Sequence, residues 1–145
     1  FISSTFWTER IGPTAALKTL EVMEREKSWN RITETGYSVG VRWQALASKY
    51  ELPIQISGLP AINSFSFSLP DMLKYKTLIT QEMLKNYILA SNLLFVCTEH
   101  TDEIINYYFE QLEPVFSLIK DCEEGRSIDQ LLEGPVCHAG FKRLN

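Results

Sequence analysis

From residue 9 to about residue 50, apolar residues recur every three or four positions, which is the spacing of amphipathic helices. The two apolar stripes consist of Ala16, Leu17, Leu20 and Met23, and then of Trp29, Ile32, Val39, Trp43 and Leu46. Pro13 suits the first position of a helix, with Gly12 as its N-cap. Gly36 and Gly40 lie four residues apart and indicate close contact with another helix. This segment is therefore predicted to form two helices, separated close to the start of the second stripe.

Alternating apolar and polar residues follow the helical part. Ile54-Gln55-Ile56 alternates as a strand does, and the run from Ala61 to Ser68 alternates more clearly. In that run Phe65 and Phe67 face one side and the serines face the other. Gly58 marks a turn between the two runs. Two adjacent antiparallel strands are predicted.

The second half of the chain returns to helical spacing and then becomes continuously apolar. Residues from Met72 to Tyr87 are predicted to form a helix. The richly apolar run from Ile88 to Cys97 is predicted to contain a buried strand, preceded by a turn at Ser91-Asn92. Thr101 is a typical N-cap, because two acidic residues follow it in the first helical turn. Pro114 is expected to break or kink the amphipathic helix that begins there.

The predicted order is helix, helix, strand, strand, helix, strand, helix, followed by a tail. This is an α+β pattern, with helices packed on one face of a small, mostly antiparallel sheet. A length of 145 residues suits a single domain with its own core. No segment rich in linker residues divides residues 1–145.

Charge and cysteine content narrow the function classes. A net charge of −4 without blocks of like charge argues against nucleic acid or an anionic membrane surface as a partner. No apolar run is long enough to span a bilayer. Cys97, Cys122 and Cys137 are widely spaced, and reduced thiols in the cytoplasm are the simplest interpretation. With two histidines in the chain, no metal site is expected.

No complete catalytic constellation is visible, and no residue is predicted to be catalytic. Cys137 and His138 are adjacent, whereas catalytic Cys–His pairs usually come from remote parts of a chain. His100 precedes a helix start and suits a capping or surface role. Ser4 and Thr5 remain, two hydroxyls near a predicted helix N-terminus, where free N–H groups and the helix dipole favour an anion. Such pairs also serve simply as helix caps.

Two stretches carry a resemblance to known proteins: Ser3 to Leu17 reads SSTFWTERIGPTAAL, and Asn92 to Ile104 reads NLLFVCTEHTDEI. The first resembles class III pyridoxal-phosphate (PLP) aminotransferases of fold type I, in particular the branch similar to glutamate-1-semialdehyde aminomutase. The second is similar to the last strand of that family and the start of its C-terminal helix. The α+β order also fits the family's C-terminal small domain.

The resemblance implies a role for the two hydroxyl residues. In this family the residue that matches Thr5 lies at a dimer interface and binds the phosphate of the PLP held mainly by the neighbouring subunit. The residue that matches Ser4 often contributes through its backbone. The Schiff-base lysine lies upstream, in a large PLP-binding domain that residues 1–145 lack. The resemblance thus implies the C-terminal domain of a homodimeric aminotransferase or aminomutase, which closes over a small amino or oxo substrate and by itself neither transaminates nor retains PLP.

One segment departs from the aminomutase pattern. Those enzymes often carry Phe-Glu-Ala before the final strand, with the glutamate facing the substrate, whereas this chain has Ala90-Ser91-Asn92-Leu93. An aminotransferase for another amino acid or amino sugar is at least as compatible. The alternative from a different class is a stand-alone α+β interaction module without a catalytic role. That module predicts a polar surface, whereas the enzyme domain predicts an exposed apolar face where a large domain packs.

Overall fold

A computed structural model describes residues 9–140. Its elements are α1 (Ile11–Glu26), α2 (Ser28–Lys49), β1 (Ile54–Leu59), β2 (Ile62–Phe67), α3 (Met72–Lys85), β3 (Leu93–Phe95), α4 (Asp102–Glu123) and a short 3-10 helix (Ile128–Gln130). The three strands form one antiparallel sheet in the order β1-β2-β3. The predicted α+β class and the order of the elements are confirmed. Among these helices, none is both long and apolar enough to cross a lipid bilayer.

The alternation along β2 sets the two faces of the sheet. Phe65 and Phe67 are buried, whereas Ser66 between them is exposed. Helices α2, α3 and α4 cover the buried face. There the rings of Trp43 on α2 and Phe116 on α4 lie 4.9 and 5.9 Å from the Phe65 ring, centroid to centroid. The helices therefore pack on one face of the sheet, as the pattern of phenylalanines and serines predicts.

Two glycines let α2 lie directly against the β1–β2 hairpin. A Cβ atom at Gly36 would stand 1.9 Å from the Pro60 carbonyl oxygen, and one at Gly40 would stand 2.8 Å from the side-chain nitrogen of Asn63. Asn63 Nδ2 also donates to the Gly36 carbonyl oxygen at 3.1 Å. The prediction of contact with another helix is wrong, because the hairpin occupies the space that two missing side chains leave on α2.

The start of α1 also differs from the prediction. The helix begins at Ile11, with Arg10 rather than Gly12 as its N-cap. Pro13 is therefore the third helical residue and not the first. The helix tolerates it there because N–H groups of the first turn have no acceptor within the helix.

Helix α4 is continuous across Pro114, so the predicted break does not occur. The residue four positions earlier, Glu110, would accept the hydrogen bond that proline cannot donate. Both residues lie on the exposed side of the helix, where water can serve the free carbonyl. Thr101 caps the helix as predicted, and its Oγ1 accepts a hydrogen bond from the Ile104 N–H at 3.4 Å.

The strand predicted after the turn at Ser91-Asn92 is β3, which spans Leu93–Phe95. The prediction that it is buried is wrong, because Leu93 and Phe95 are exposed. Strand β2 pairs with it only from Ile62 to Ser64. Before that point Asn92 holds the chain to Phe65: the Phe65 N–H donates to the Asn92 carbonyl at 3.0 Å, and Asn92 Nδ2 donates to the Phe65 carbonyl at 2.7 Å.

Candidate functional site

The predicted cofactor contacts, Ser4 and Thr5, lie outside the described residues. The structure shows the helix that follows them, which begins six residues after Thr5, at Ile11. The first hydrogen bond of the helix is donated by Thr14 to the Arg10 carbonyl, so the N–H groups of Ile11 and Gly12 have no acceptor within the helix. The first turn contains no acidic residue. An anion held near this helix start therefore meets no carboxylate from the first turn.

The lysines of residues 9–140 are poorly suited to form a covalent bond with the aldehyde of PLP. An amine reacts with an aldehyde in its unprotonated form, which burial favours by lowering the pKa of a lysine. Within residues 9–140 no lysine is buried. Hydrogen bonds to carboxylates are the main cause that raises the pKa of four of them: Lys49, Lys74, Lys85 and Lys120. Covalent attachment of PLP to these lysines is therefore disfavoured.

A recess of about 530 Å³ lies between α1, the start of α2 and the segment that follows β3. Val22 and Met23 of α1, Ile32 of α2 and Val96 line it. Ser28, the first residue of α2, also lies in its wall, and the Ser28 hydroxyl is buried without a hydrogen-bond partner among the described residues. Buried hydroxyls in folded proteins nearly always have a partner. The described residues therefore leave the packing around this recess incomplete.

A polar recess of about 630 Å³ lies between α2 and the start of α4. Its wall contains one cation, Arg31, against three carboxylates, Glu34, Asp102 and Glu103. The surplus of negative charge disfavours a phosphate or a carboxylate at this place.

The segment that departs from the aminomutase pattern contributes to a smaller recess, of about 230 Å³. Asn92 shares the wall of this recess with Ser66, Lys76 and His138, and the described part of the wall contains no carboxylate. The sequence predicted the loss of a glutamate here. It did not predict that Lys76 of α3 and His138 of the tail lie beside this segment, because both are distant from it in the sequence.

Cys97, His100 and Cys137 make local structural hydrogen bonds in the described residues. The Cys97 N–H donates to His100 Nδ1 at 3.1 Å, and the His100 N–H donates to the Cys97 carbonyl at 3.1 Å, which closes a tight turn before α4. The Cys137 N–H donates to Thr77 Oγ1 at 2.9 Å. Cys137 Sγ lies 3.6 Å from the Leu73 carbonyl oxygen. Between residues 9 and 140, no group of three or more His, Cys, Asp or Glu side chains is placed to hold a metal ion.

Comparisons with known proteins bear on the class of enzyme. No family model matches the chain. The 3-aminobutyryl-CoA aminotransferase of Cloacimonas acidaminovorans (strain Evry) is 25% identical over 125 residues, which is 83% of this chain and 30% of that protein. Among solved structures, the FumI protein of Sphingopyxis sp. MTA144 in its PLP internal aldimine form matches with a TM-score of 0.75 and 16% identity. The match covers 91% of this chain and 33% of that one.

The chain has the fold of a PLP-enzyme domain. Its sequence is similar to an aminotransferase, and it spans about a third of the length of the two relatives. The predicted domain fold is thereby confirmed. Neither comparison concerns the glutamate-1-semialdehyde aminomutase branch, which stays a prediction, as do the dimer and the roles of Ser4 and Thr5.

Proposed function

We propose that this chain is the C-terminal domain of a cytoplasmic PLP-dependent aminotransferase or aminomutase, which acts as a homodimer on a small amino or oxo substrate. The observation that carries the proposal is the agreement of two comparisons, one of sequence with an aminotransferase and one of shape with a PLP enzyme. Because each relative is about three times as long, the lysine that carries PLP is expected in the remaining part of such an enzyme.

In this proposal Thr5 and Ser4 contact the phosphate of the PLP that the partner subunit holds. A phosphate dianion needs several donors, and a hydroxyl with backbone N–H groups supplies them without adding a formal charge. When bound, PLP supplies the electron sink for carbanion chemistry, and the protein orients it.

The loop before β3 favours an aminotransferase over a semialdehyde aminomutase. Asn92 and Lys76 line the recess there, and among residues 9–140 its wall holds no carboxylate that could replace the missing glutamate. The name of the sequence relative suggests a first substrate class, a 3-amino acid or its acyl thioester. The amino donor and acceptor are best found by testing 3-amino acids, their thioesters and 2-amino acids side by side.

The role of Thr5 is tested by Thr5→Ala in the protein encoded by the complete reading frame. Loss of a hydrogen bond to a charged group costs about 1.5–3 kcal/mol, so PLP should bind roughly 10- to 100-fold more weakly. Dialysis against decreasing PLP, followed by absorbance, measures this. Thr80→Ala is the control, because the Thr80 hydroxyl bonds only the Lys76 carbonyl of its own helix, at 3.2 Å. Equal PLP affinity in the two variants would exclude the role of Thr5.

A further inference from the structure

The last described part of the chain lies along α3. Residues 131–140, called the strap here, follow the 3-10 helix and form no helix or strand. The Gln81 side chain of α3 bonds the strap backbone twice: Nε2 donates to the Leu131 carbonyl oxygen at 2.9 Å, and Oε1 accepts from the Glu133 N–H at 2.8 Å. Nε2 also donates to Glu82 Oε1 at 2.7 Å, which fixes the orientation of the amide. One glutamine therefore holds the strap at two points.

A second residue of α3 holds the strap further along. The Cys137 N–H donates to Thr77 Oγ1 at 2.9 Å. Thr77 and Gln81 are four residues apart, so they lie on the same face of α3. An ion pair between Lys85 and Glu133, 2.7 Å from Nζ to Oε1, is exposed and contributes little free energy. The strap is therefore held mainly by hydrogen bonds between its backbone and side chains on one face of α3.

Apolar burial holds the strap mainly at its start. Leu131 and Leu132 are partly buried and pack against the core. Residues 133–135 and 138–140 are exposed, and within residues 9–140 no residue of the strap is fully buried. Helix α4, in contrast, buries seven of its residues. A segment that few buried contacts hold can open at a lower free energy than the whole domain, and the strap is such a segment.

The end of the strap forms part of the wall of the recess of about 230 Å³. His138, Ala139 and Gly140 line that wall together with Asn92. We propose that the strap opens from α3 as one unit, that Gln81 is the residue that holds it closed, and that its opening uncovers the recess beside Asn92. Because the lining residues directly follow position 137, they leave the wall when the strap opens. The competing possibility is that each hydrogen bond breaks independently and the wall stays in place.

Hydrogen exchange, read by mass spectrometry at single-residue resolution, tests the proposal in the protein encoded by the complete reading frame. Gln81→Ala is compared with Gln44→Ala, which removes the same side chain from an exposed position on α2. The Cys137 N–H is the reporter, because its own acceptor on Thr77 is unchanged in both variants. The Glu133 N–H loses its acceptor in Gln81→Ala, so its exchange rises in either case.

A neutral hydrogen bond shifts an equilibrium by about two- to tenfold, so the loss of two should accelerate exchange at Cys137 roughly tenfold in Gln81→Ala and leave it unchanged in Gln44→Ala. Equal exchange at Cys137 in the two variants overturns the proposal.

A second measurement adds urea below the unfolding transition. The exchange rate at Cys137 should hardly change, because opening of the strap exposes little surface. The rate at the Phe116 N–H, in the buried face of α4, should rise as global unfolding becomes easier. A parallel rise at both N–H groups shows that the strap opens only together with the whole domain, and it also overturns the proposal.

Discussion

The two faces of the sheet differ in how completely the chain covers them. On the closed side, α2, α3 and α4 bury an aromatic cluster, and its polar atoms are paired: Trp43 Nε1 donates to the Tyr108 hydroxyl at 3.0 Å. On the opposite face, called the open side here, Leu59, Ile62 and Phe95 form an apolar row across the three strands, and Leu59 and Phe95 face solvent. Residues 9–140 thus carry two apolar surfaces and close only one of them.

The ion pairs follow the same division. Around the closed side some of them join different elements, as Lys49 does with Glu113 and Lys120 with Glu51. Within residues 9–140 the two ion pairs of α1, Lys18–Glu21 and Arg25–Glu26, are both internal to that helix. Surface pairs contribute little free energy each, but here they show which helices the described chain holds in place.

Truncation of a core residue should have the largest effect. Trp43 is fully buried, so Trp43→Ala is expected to lower the free energy of unfolding by about 3–5 kcal/mol. Leu20→Ala on α1 should change it by less than about 0.5 kcal/mol, because Leu20 is exposed. Urea unfolding of the 145-residue chain measures both values. If Leu20→Ala lowered the free energy of unfolding by about 2 kcal/mol or more, α1 would be packed in the isolated chain. That result would contradict the difference between α1 and the closed side.

Two glycine substitutions compare α2 with α1. Gly36→Ala places a Cβ atom 1.9 Å from a backbone oxygen, so we expect a loss of about 2–3 kcal/mol as the hairpin is pushed away. Gly12→Ala meets no atom within 4 Å, and the better helix propensity should stabilise the chain by up to about 1 kcal/mol. Thermal unfolding of both variants gives the comparison. Similar effects at the two positions would show that α2 does not depend on close contact with the hairpin.

The Tyr108 hydroxyl makes the closed side sensitive to alkaline pH. Burial raises the pKa of Tyr108. The protonated Tyr108 hydroxyl contributes its full stabilisation below the pKa that tyrosine has in the unfolded state, about 10. Because the pKa is higher in the folded state, this stabilisation is lost as the pH rises above that value. Tyr108→Phe should cost about 1–2 kcal/mol at neutral pH, because the Trp43 N–H loses its acceptor, and should reduce the alkaline loss. Burial also raises the pKa of Tyr75, so part of the loss should remain.

Urea titrations between pH 7 and about pH 11 measure that dependence. An alkaline loss of the same size in Tyr108→Phe and in the unchanged chain would show that Tyr108 is not the group responsible.

The smallest expected difference in stability is between substitutions at the N-cap residues of α4 and α1. Thr101→Ala removes the hydrogen bond from the Ile104 N–H and should cost about 1 kcal/mol. Arg10→Ala should have no measurable effect, because Arg10 makes no side-chain capping bond. Chemical unfolding of both variants checks this, and a larger cost at Arg10 would point to a contact of α1 that residues 9–140 do not show.

Local sequence patterns predicted the helices and strands and which of their faces are buried. The packing partners of these elements and the exact length of a strand depend on residues far away in the sequence. The alternation of Phe65 and Phe67 with serines is a local signal, and it placed the core correctly. The partner of Gly36 is a hairpin residue 24 positions later, which no helical pattern contains. The length of β3 depends on which residues of β2 are free to pair.

The candidate site shows the same limit. The resemblance indicated the enzyme class, and the comparisons support it. The open side was missed as a set of residues, although one signal was present. Ile62 alternates in phase with Ser64 and Ser66, which puts a large apolar residue on the polar face of β2. Its neighbours in the row, Leu59 and Phe95, become visible only when the strands are paired.

The attachment point of the cofactor provides the most direct measurement. The protein encoded by the complete reading frame is purified with PLP, treated with borohydride to fix the cofactor to the lysine that carries it, and mapped by mass spectrometry. If this chain is one domain of a larger PLP enzyme, the labelled lysine is expected to lie outside residues 1–145. Label on a lysine within residues 9–140, or a protein that takes up no PLP, would contradict that account.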